Sequence, residues 1–426
     1  MRALWALAAR SAWNRRFVLS LVVASIALST ALLLGLERLR QDVRQNFAQT
    51  VSGTDLIVGA RAGPVQLLLY AVFHLGGPTN AIGRDSVQAL AAHRQVAWTV
   101  PIALGDTHRG HPVVGTTAAY FEHVRHGDRR PLVVAQGRVF GDGAGAVHEA
   151  VLGADVAARL GLAPGRAIVL SHGDGAFAAN DHADQPFTVV GVLARTGTPV
   201  DRAVHIPLAG IAALHEDWVA GAPLPGLRAS GPGASAPGQA RMPDTVTAVL
   251  VGLKSRAAVF SVQRWVRGYA DEPLMAVLPG VALDELWEVV GAGERALQAA
   301  GAMVAGVSLA GLVAVILAGL DARRRELAIL RSVGAGPRQV LALLAIEGAL
   351  VTGAGVALGM LACAVAVALL GDLVQARWGL ALRPFVPGAA ELRLACALLI
   401  GGWLASLVPG YRAYRLSLAD GLSPRA

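Results

Sequence analysis

Apolar residues along the chain gather into four runs too long for ordinary core helices. Phe17–Leu36 and Ala299–Leu320 contain no ionisable residue. Val340–Leu370 carries only Glu347, and Gly348–Leu370 carries none. Leu394–Val408 is shorter, with Arg393 at its edge, where a long side chain can snorkel to the headgroups. Crossing the ~30 Å hydrocarbon core takes ~20 apolar residues. The pattern predicts transmembrane helices at 17–36, 299–320, 340–370 and 392–408. Read as a signal peptide instead, the first run exceeds the usual apolar core of ~7–15 residues, and no small-residue cleavage site precedes a globular start. An uncleaved anchor is the expectation.

Between the first two runs the periodicity changes. "AVLGADVAARLGLAPGRAIVL" reads as strand, helix, turn and strand, with Pro164-Gly165 as the turn. "QPFTVVGVLA" and "TVTAVLVGL" read as strands, and "AAVFSVQRWVRGYA" as a helix. Residues 228–243, "RASGPGASAPGQARMP", are a loop or a disordered insertion. The segments flanking this region stay helical in pattern. No Gly or Pro interrupts 37–52, so 17–50 predicts one helix about 51 Å long at 1.5 Å per residue, a stalk beyond the bilayer. Before the second run, Leu283, Leu286, Trp287 and Val290 recur at helical spacing, although Gly291 and Gly293 weaken that pattern. The fold class is therefore an α-helical membrane protein with four transmembrane helices. A mixed α/β extracytoplasmic domain, 37–298, is inserted between helices 1 and 2. The remaining pieces are an amphipathic cytosolic segment at 1–16, a cytosolic loop at 321–339, a short periplasmic loop at 371–391 and a cytosolic tail at 409–426.

Composition agrees. Hydrophobic residues make up 54% and charged residues 15%, against ~25% charged in soluble domains. The net charge of +8 is not spread evenly. The expected cytosolic pieces hold arginines 2, 10, 15, 16, 323, 324, 325, 331, 338, 412, 415 and 425, against Asp321, Glu326 and Asp420. Basicity is thus a topology signal, not a nucleic-acid face, which needs its cations on one soluble surface. Both cysteines, Cys363 and Cys396, fall in predicted spans, so a core rather than disulfides must hold 37–298.

The loop "DARRRELAILRSVGAGPRQV" asks for more than topology. Its arginines follow from the positive-inside rule. Its apolar face, Leu327, Ile329, Leu330 and Val333 at helical spacing, does not, because a bare connector needs none. Gly334 is placed to end that short helix, and Gly336-Pro337 to break the chain before the next. An apolar face at the membrane surface wants a partner protein or the bilayer itself.

The same stretch resembles the coupling segment of ABC transporter permeases of the FtsX/MacB/LolC group. "HEAVLGADVAARLGLAPGRAIVL" and "PFTVVGVL" resemble that group's periplasmic core domain. "LAARSAWNRRF" and "PGYRAYRLSLADGL" resemble its N-terminal flank and basic tail, although "SLAD" stands where the group often has Asp-Pro. The resemblance implies a coupling helix at Glu326, Leu327, Ile329, Leu330, Arg331, Val333, Gly334 and Ala335 that docks on a separate ABC ATP-binding subunit. It implies a second permease subunit, identical or sister, and a working movement outside the membrane serving lipoprotein release or efflux. It leaves a periplasmic or outer-membrane partner open. No Walker A accompanies Lys254, so no nucleotide site is expected in this chain, and ATP and Mg belong to the partner. The alternative is a membrane-anchored sensor or binding protein without an ATPase.

Other candidates come from the residues alone. Gly355 and Gly359 form a G-x-x-x-G in the third span, and Ser25 and Ser29 a small-x-x-x-small pair in the first; both suit close helix approach. Glu347, at the inner edge of the third span, is read as structural, pairing with an arginine, rather than as a proton carrier. His108, His111, His123 and His126 form two short clusters. His172, Asp174, Asp181, His182 and Asp184 add polar donors, of which His172, Asp174, His182 and Asp184 are weak metal candidates at nonspecific spacing. G-x-S-x-G and H-E-x-x-H are both missing, so an independent enzyme is not expected.

Overall fold

The computed structural model describes residues 16–76, 80–172, 182, 185–214, 218–219, 222–223, 242–322, 329, 332, 334–378 and 382–415. The chain divides into two compact units. One is formed by Met1–Asp42, Val290–Leu373 and Leu382–Ala426, the other by Val43–Val289 and Val374–Ala381.

Ten α-helices are described. They are α1 (Arg16–Thr50), α2 (Pro64–Phe73), α3 (Arg84–Ala91), α4 (Ala119–His123), α5 (Ala154–Leu160), α6 (Leu208–Leu214), α7 (Val259–Arg267), α8 (Pro279–Ala322), α9 (Pro337–Trp378) and α10 (Ala389–Arg415). Four of them, α1, α8, α9 and α10, are long and apolar enough to cross a membrane. Their most apolar windows are only 22% to 33% buried inside the protein. Leu21, Leu28, Val307, Leu369 and Ile400 are more than half exposed. That outward apolar surface needs hydrocarbon around it.

The long helices overrun their predicted boundaries. Gly291 and Gly293 sit within α8, because the residues around them are helix formers and two glycines cost only about 1 kcal/mol each. Residues 371–378 were expected in a loop and are helical, since after Gly371 neither Gly nor Pro occurs in 372–378. α10 continues through Pro409 to Arg415, past the predicted end at 408. α9 begins with Pro337 at its first position, where a missing N–H is harmless. The Gly336 N–H donates to Gln339 Oε1 at 3.0 Å, and the Gln339 N–H returns to Gly336 O at 2.9 Å. Gly334 has φ +100°, a conformation that favours glycine.

The second unit is built on an eleven-stranded mixed sheet. Its strands are β1 (Leu56–Ala60), β2 (Val96–His108), β3 (His111–Thr116), β4 (Val134–Gly137), β5 (Glu149–Leu152), β6 (Ala167–Ile168), β7 (Ser171–His172), β8 (Phe187–Leu193), β9 (Val204–Pro207), β10 (Ala248–Leu253) and β11 (Leu274–Val277). Their order is β11-β1-β10-β2-β3-β9-β5-β8-β4, with β7 on β2 and β6 on β8. β2 joins two halves, pairing its first part with β10 and its second with β3. β3 lies parallel to β9, and β5 parallel to β8; such pairs need long crossovers. Every residue of β1 is buried, as a central strand covered on both faces requires. One face packs Val87, Val156, Ile211 and Val262 of α3, α5, α6 and α7. The other packs Leu67, Tyr70, Tyr120 and Phe121 of α2 and α4.

Candidate functional site

In the helical unit, α1 is the hub. The small residues of its sequence meet a third serine: Ser308 Oγ on α8 lies 3.0 Å from Ser25 Oγ and 2.6 Å from Ser29 Oγ. Three hydroxyls satisfy one another and nearby carbonyls in an apolar seam, which holds α1 on α8 without a charge. On another side, α9 presents Gly355 and Gly359 to α1. A Cβ at Gly355 would fall 2.6 Å from Ile26 Cγ2, and one at Gly359 2.5 Å from Thr30 Cβ and 2.6 Å from Ala27 O. Backbones therefore approach where a side chain has no room. α9 meets α10 in the same manner, with Gly348 against Ser406 and Gly402 against Thr352. Glu347 is fully buried on α9.

Beyond the apolar part of α1, toward the insertion, two charged networks form a collar. Arg38 Nε lies 3.3 Å from Asp42 Oδ2 and its Nη1 3.9 Å from Glu391 Oε1, while its Nη2 donates to Pro384 O at 3.1 Å. Asp42 and Glu391 are buried, and the Gly388 N–H donates to Glu391 Oε2 at 3.0 Å. The second network runs from α1 to α8. Arg40 Nε donates to Glu294 Oε2 at 3.0 Å, Arg40 Nη1 to Glu37 Oε2 at 3.1 Å, and Gln298 Nε2 to Glu37 Oε2 at 3.2 Å. Sequence reasoning singled out none of these. The signal available was an i,i+4 Arg–Asp pair just past an apolar run, but its third member, Glu391, is remote in sequence.

Within the α/β unit, the C-terminal end of α1 and the N-terminal part of α8 are joined by aromatic rings. Phe47 stacks on Phe73 of α2 at 4.4 Å and meets Trp287 edge to face at 5.4 Å. The Arg44 guanidinium covers Trp287 at 5.2 Å. Leu283 and Leu286, expected on one helical face with Trp287, join the same apolar cluster.

The histidines separate into different environments. His108 and His111 face each other across the β2–β3 hairpin, whose turn residues Arg109 and Gly110 both have positive φ. Val169 O lies 2.7 Å from His108 Nδ1, and Arg202 O 3.2 Å from His111 Nδ1. Burial lowers the pKa of both. His123 stacks flat on Trp98 at 4.8 Å, and His126 lies in a two-residue strand. His182 is buried. The side chain of His172, and Asp174, Asp181 and Asp184, lie outside the described residues. Among the described residues no group of three or more His, Cys, Asp or Glu is arranged to hold a metal ion. His205 on β9 is fully buried beside Tyr120, ring centroids 5.1 Å apart, and its pKa is pushed down to about 3 by burial and then by His74.

Of the loop residues, Glu326, Leu327, Leu330, Arg331 and Val333 lie outside the described residues. Ile329 is helical and 60% exposed; Gly334 is exposed and Ala335 half-buried.

Comparison with known proteins gives two family matches. Residues 19–269 match the family described as MacB-like periplasmic core domain, and residues 299–418 the FtsX-like permease C-terminal family. Among curated proteins no relative is found. Among solved structures the chain is similar to the periplasmic region of MacB from Actinobacillus actinomycetemcomitans. That match has 12% identity and a TM-score of 0.34, covering 57% of this chain and 95% of that one. It is also similar to the extracellular domain of the noncanonic ABC-type transporter YknZ from Gram-positive bacteria. There the identity is 15% and the TM-score 0.31, over 53% of this chain and 99% of that one.

Proposed function

The chain belongs to the FtsX/MacB type of ABC transporter permease, and from that premise we propose that it transmits the work of a separate ATPase to its extracytoplasmic domain. Permeases of this type are generally non-catalytic membrane subunits that work with an ATP-binding subunit. The chain is accordingly a multi-pass membrane protein with an extracellular domain. The observation that carries the proposal is the FtsX-like match over 299–418, a range that includes the 321–339 loop.

In this reading Glu326 to Ala335 form a coupling helix seated on the partner ATPase, where ATP and Mg are bound. An exposed Ile329 supports it, because an apolar side chain at that position is available to a partner. Closure of the ATPase displaces the coupling helix, and α8 and α9, which flank the loop, receive that displacement. α1 moves with them, because the serine cluster and the two glycines lock it to both. The helices α1 and α8 also supply Phe47 and Trp287 to the extracellular domain, so a shift along either is felt there. Such work serves lipoprotein release or efflux from the inner membrane, with a second permease subunit, identical or sister, completing the transporter.

Co-expression with an ABC ATP-binding subunit from the same genome tests the proposal. Affinity-tagged permease is expected to bring down the ATPase, and Leu330→Asp to abolish this while the variant still inserts in the membrane. Undiminished co-purification with Leu330→Asp removes the coupling assignment, whereas a wild-type permease that brings down no ATPase favours the membrane-anchored sensor.

A further inference from the structure

Near the charged collar, α1, α8 and α10 stand apart around a lateral groove of about 610 Å³. Leu33, Ala302, Ala305, Gly306, Leu309 and Leu398 wall it, and Glu37, Gln298 and Arg393 line it as well. α8 and α10 converge near Leu309, where a Cβ at Gly401 would lie 3.2 Å from Leu309 Cδ1. From Gln298 to Leu309, α8 advances about 16 Å at 1.5 Å per residue. That is about half of a ~30 Å hydrocarbon core. The groove therefore has the depth of one leaflet, a polar end near the headgroups and an apolar end near the midplane. Its volume falls in the range of about 300 to 1,000 Å³ typical of small-molecule sites.

We propose that this groove binds one phospholipid of the surrounding leaflet, an acyl chain between α8 and α10 and the phosphate on Arg393. Charge selects the headgroup. Glu37 already accepts from Arg40, Gln41 and Gln298, so the acid lining the groove is matched. Among the described residues the Arg393 guanidinium makes one hydrogen bond, Nε to Ala389 O at 3.2 Å, which leaves its other donors for an anion. Depth selects a chain over a second copy of the protein. A packed helix needs interaxial room of about 8 to 10 Å along its length, whereas this opening ends where α8 and α10 close at Leu309 and Gly401. The inference rests on the membrane-spanning reading of the helices and not on ATPase coupling.

The test uses the full-length permease alone in nanodiscs of phosphatidylcholine and phosphatidylglycerol, doped with phosphatidylglycerol carrying a photoreactive group on its acyl chain. Cross-links are expected on 298–309 and 390–398. No atom lies within 4 Å of a Cβ at Gly306, so Gly306→Leu fills the groove without a clash at that atom and removes those cross-links. Ala302→Leu does the same, and both variants elute as folded protein. Arg393→Gln keeps the cross-link but lowers the preference for phosphatidylglycerol over diacylglycerol about fivefold. Labelling that neither leucine variant reduces overturns the proposal. So does a disulfide between two copies carrying Gly306→Cys, which places a second chain in the groove. Because no ATPase is present, either failure leaves the proposed coupling untouched.

Discussion

Phe47 and Trp287 meet edge to face at 5.4 Å, although one ends the first long helix and the other begins the second. Each belongs to a helix that is also long and apolar enough to cross a membrane. Aromatic pairs contribute about 0.5 to 1.5 kcal/mol beyond area burial. Phe47→Ala and Trp287→Ala are each expected to destabilise the domain by about 2 kcal/mol, less than the ~3 to 5 of a fully buried ring. A double-mutant cycle by thermal unfolding should return a coupling of about 1 kcal/mol. Simple additivity would show that the rings do not act together.

The approach of α9 to α1 makes a sharper prediction. Gly359→Leu drives a side chain into Thr30 and the Ala27 carbonyl, so the helices must separate. Gly353, with nothing within 4 Å of an added Cβ, is the control. Folded yield in detergent should collapse for Gly359→Leu and stay near wild type for Gly353→Leu.

Arg38 stands between two buried carboxylates. Removing one member of a buried charge group typically costs about 3 to 5 kcal/mol, because the others are left uncompensated. Arg38→Met should therefore lower the melting temperature markedly. The triple variant Arg38→Met, Asp42→Asn, Glu391→Gln should recover most of the loss. If the triple variant is as unstable as the single one, the arginine matters for packing rather than charge.

Acid should weaken the extracellular domain. His205 is fully buried and its pKa is pushed down to about 3, while burial brings His74 to about 4. In the unfolded chain both titrate near ~6.5, so below that pH the unfolded state binds more protons. Full stability is thus present above pH ~6.5 and declines as pH falls toward the folded values, by up to about 1.4 kcal/mol per pH unit for each histidine. His205→Phe keeps an aromatic ring against Tyr120 and should flatten the fall in melting temperature between pH 7 and 5. A slope identical to wild type would locate the acid sensitivity elsewhere.

What was legible in the sequence follows from which interactions are local. Four spans were readable because a bilayer demands long apolar runs, and the first stalk because nothing between 37 and 52 breaks a helix. The second stalk was readable too, although Gly291 and Gly293 weakened its pattern, whereas Pro409 of α10 misled at the boundary, since a long helix tolerates a single poor former. The G-x-x-x-G pointed to close approach, but which helix it meets depends on the order of the bundle. Ser308 completing the Ser25–Ser29 pair, and Glu391 completing Arg38–Asp42, were invisible for the same reason: partners remote in sequence carry no local signature. The eleven-strand order is likewise set by crossovers, and the β2 strand that joins both halves is longer than any pattern announced.

The central claim is mechanical continuity from the 321–339 loop to the extracellular domain, and one measurement addresses it most directly. A spin label in the extracellular domain at Val133, an exposed position, is followed in the reconstituted complex with and without ATP. The account predicts a nucleotide-dependent change in the distance between labels on the two permease subunits, and its loss with Leu330→Asp, which inserts in the membrane but no longer holds the ATPase. A distance that responds to ATP equally in wild type and Leu330→Asp would contradict it.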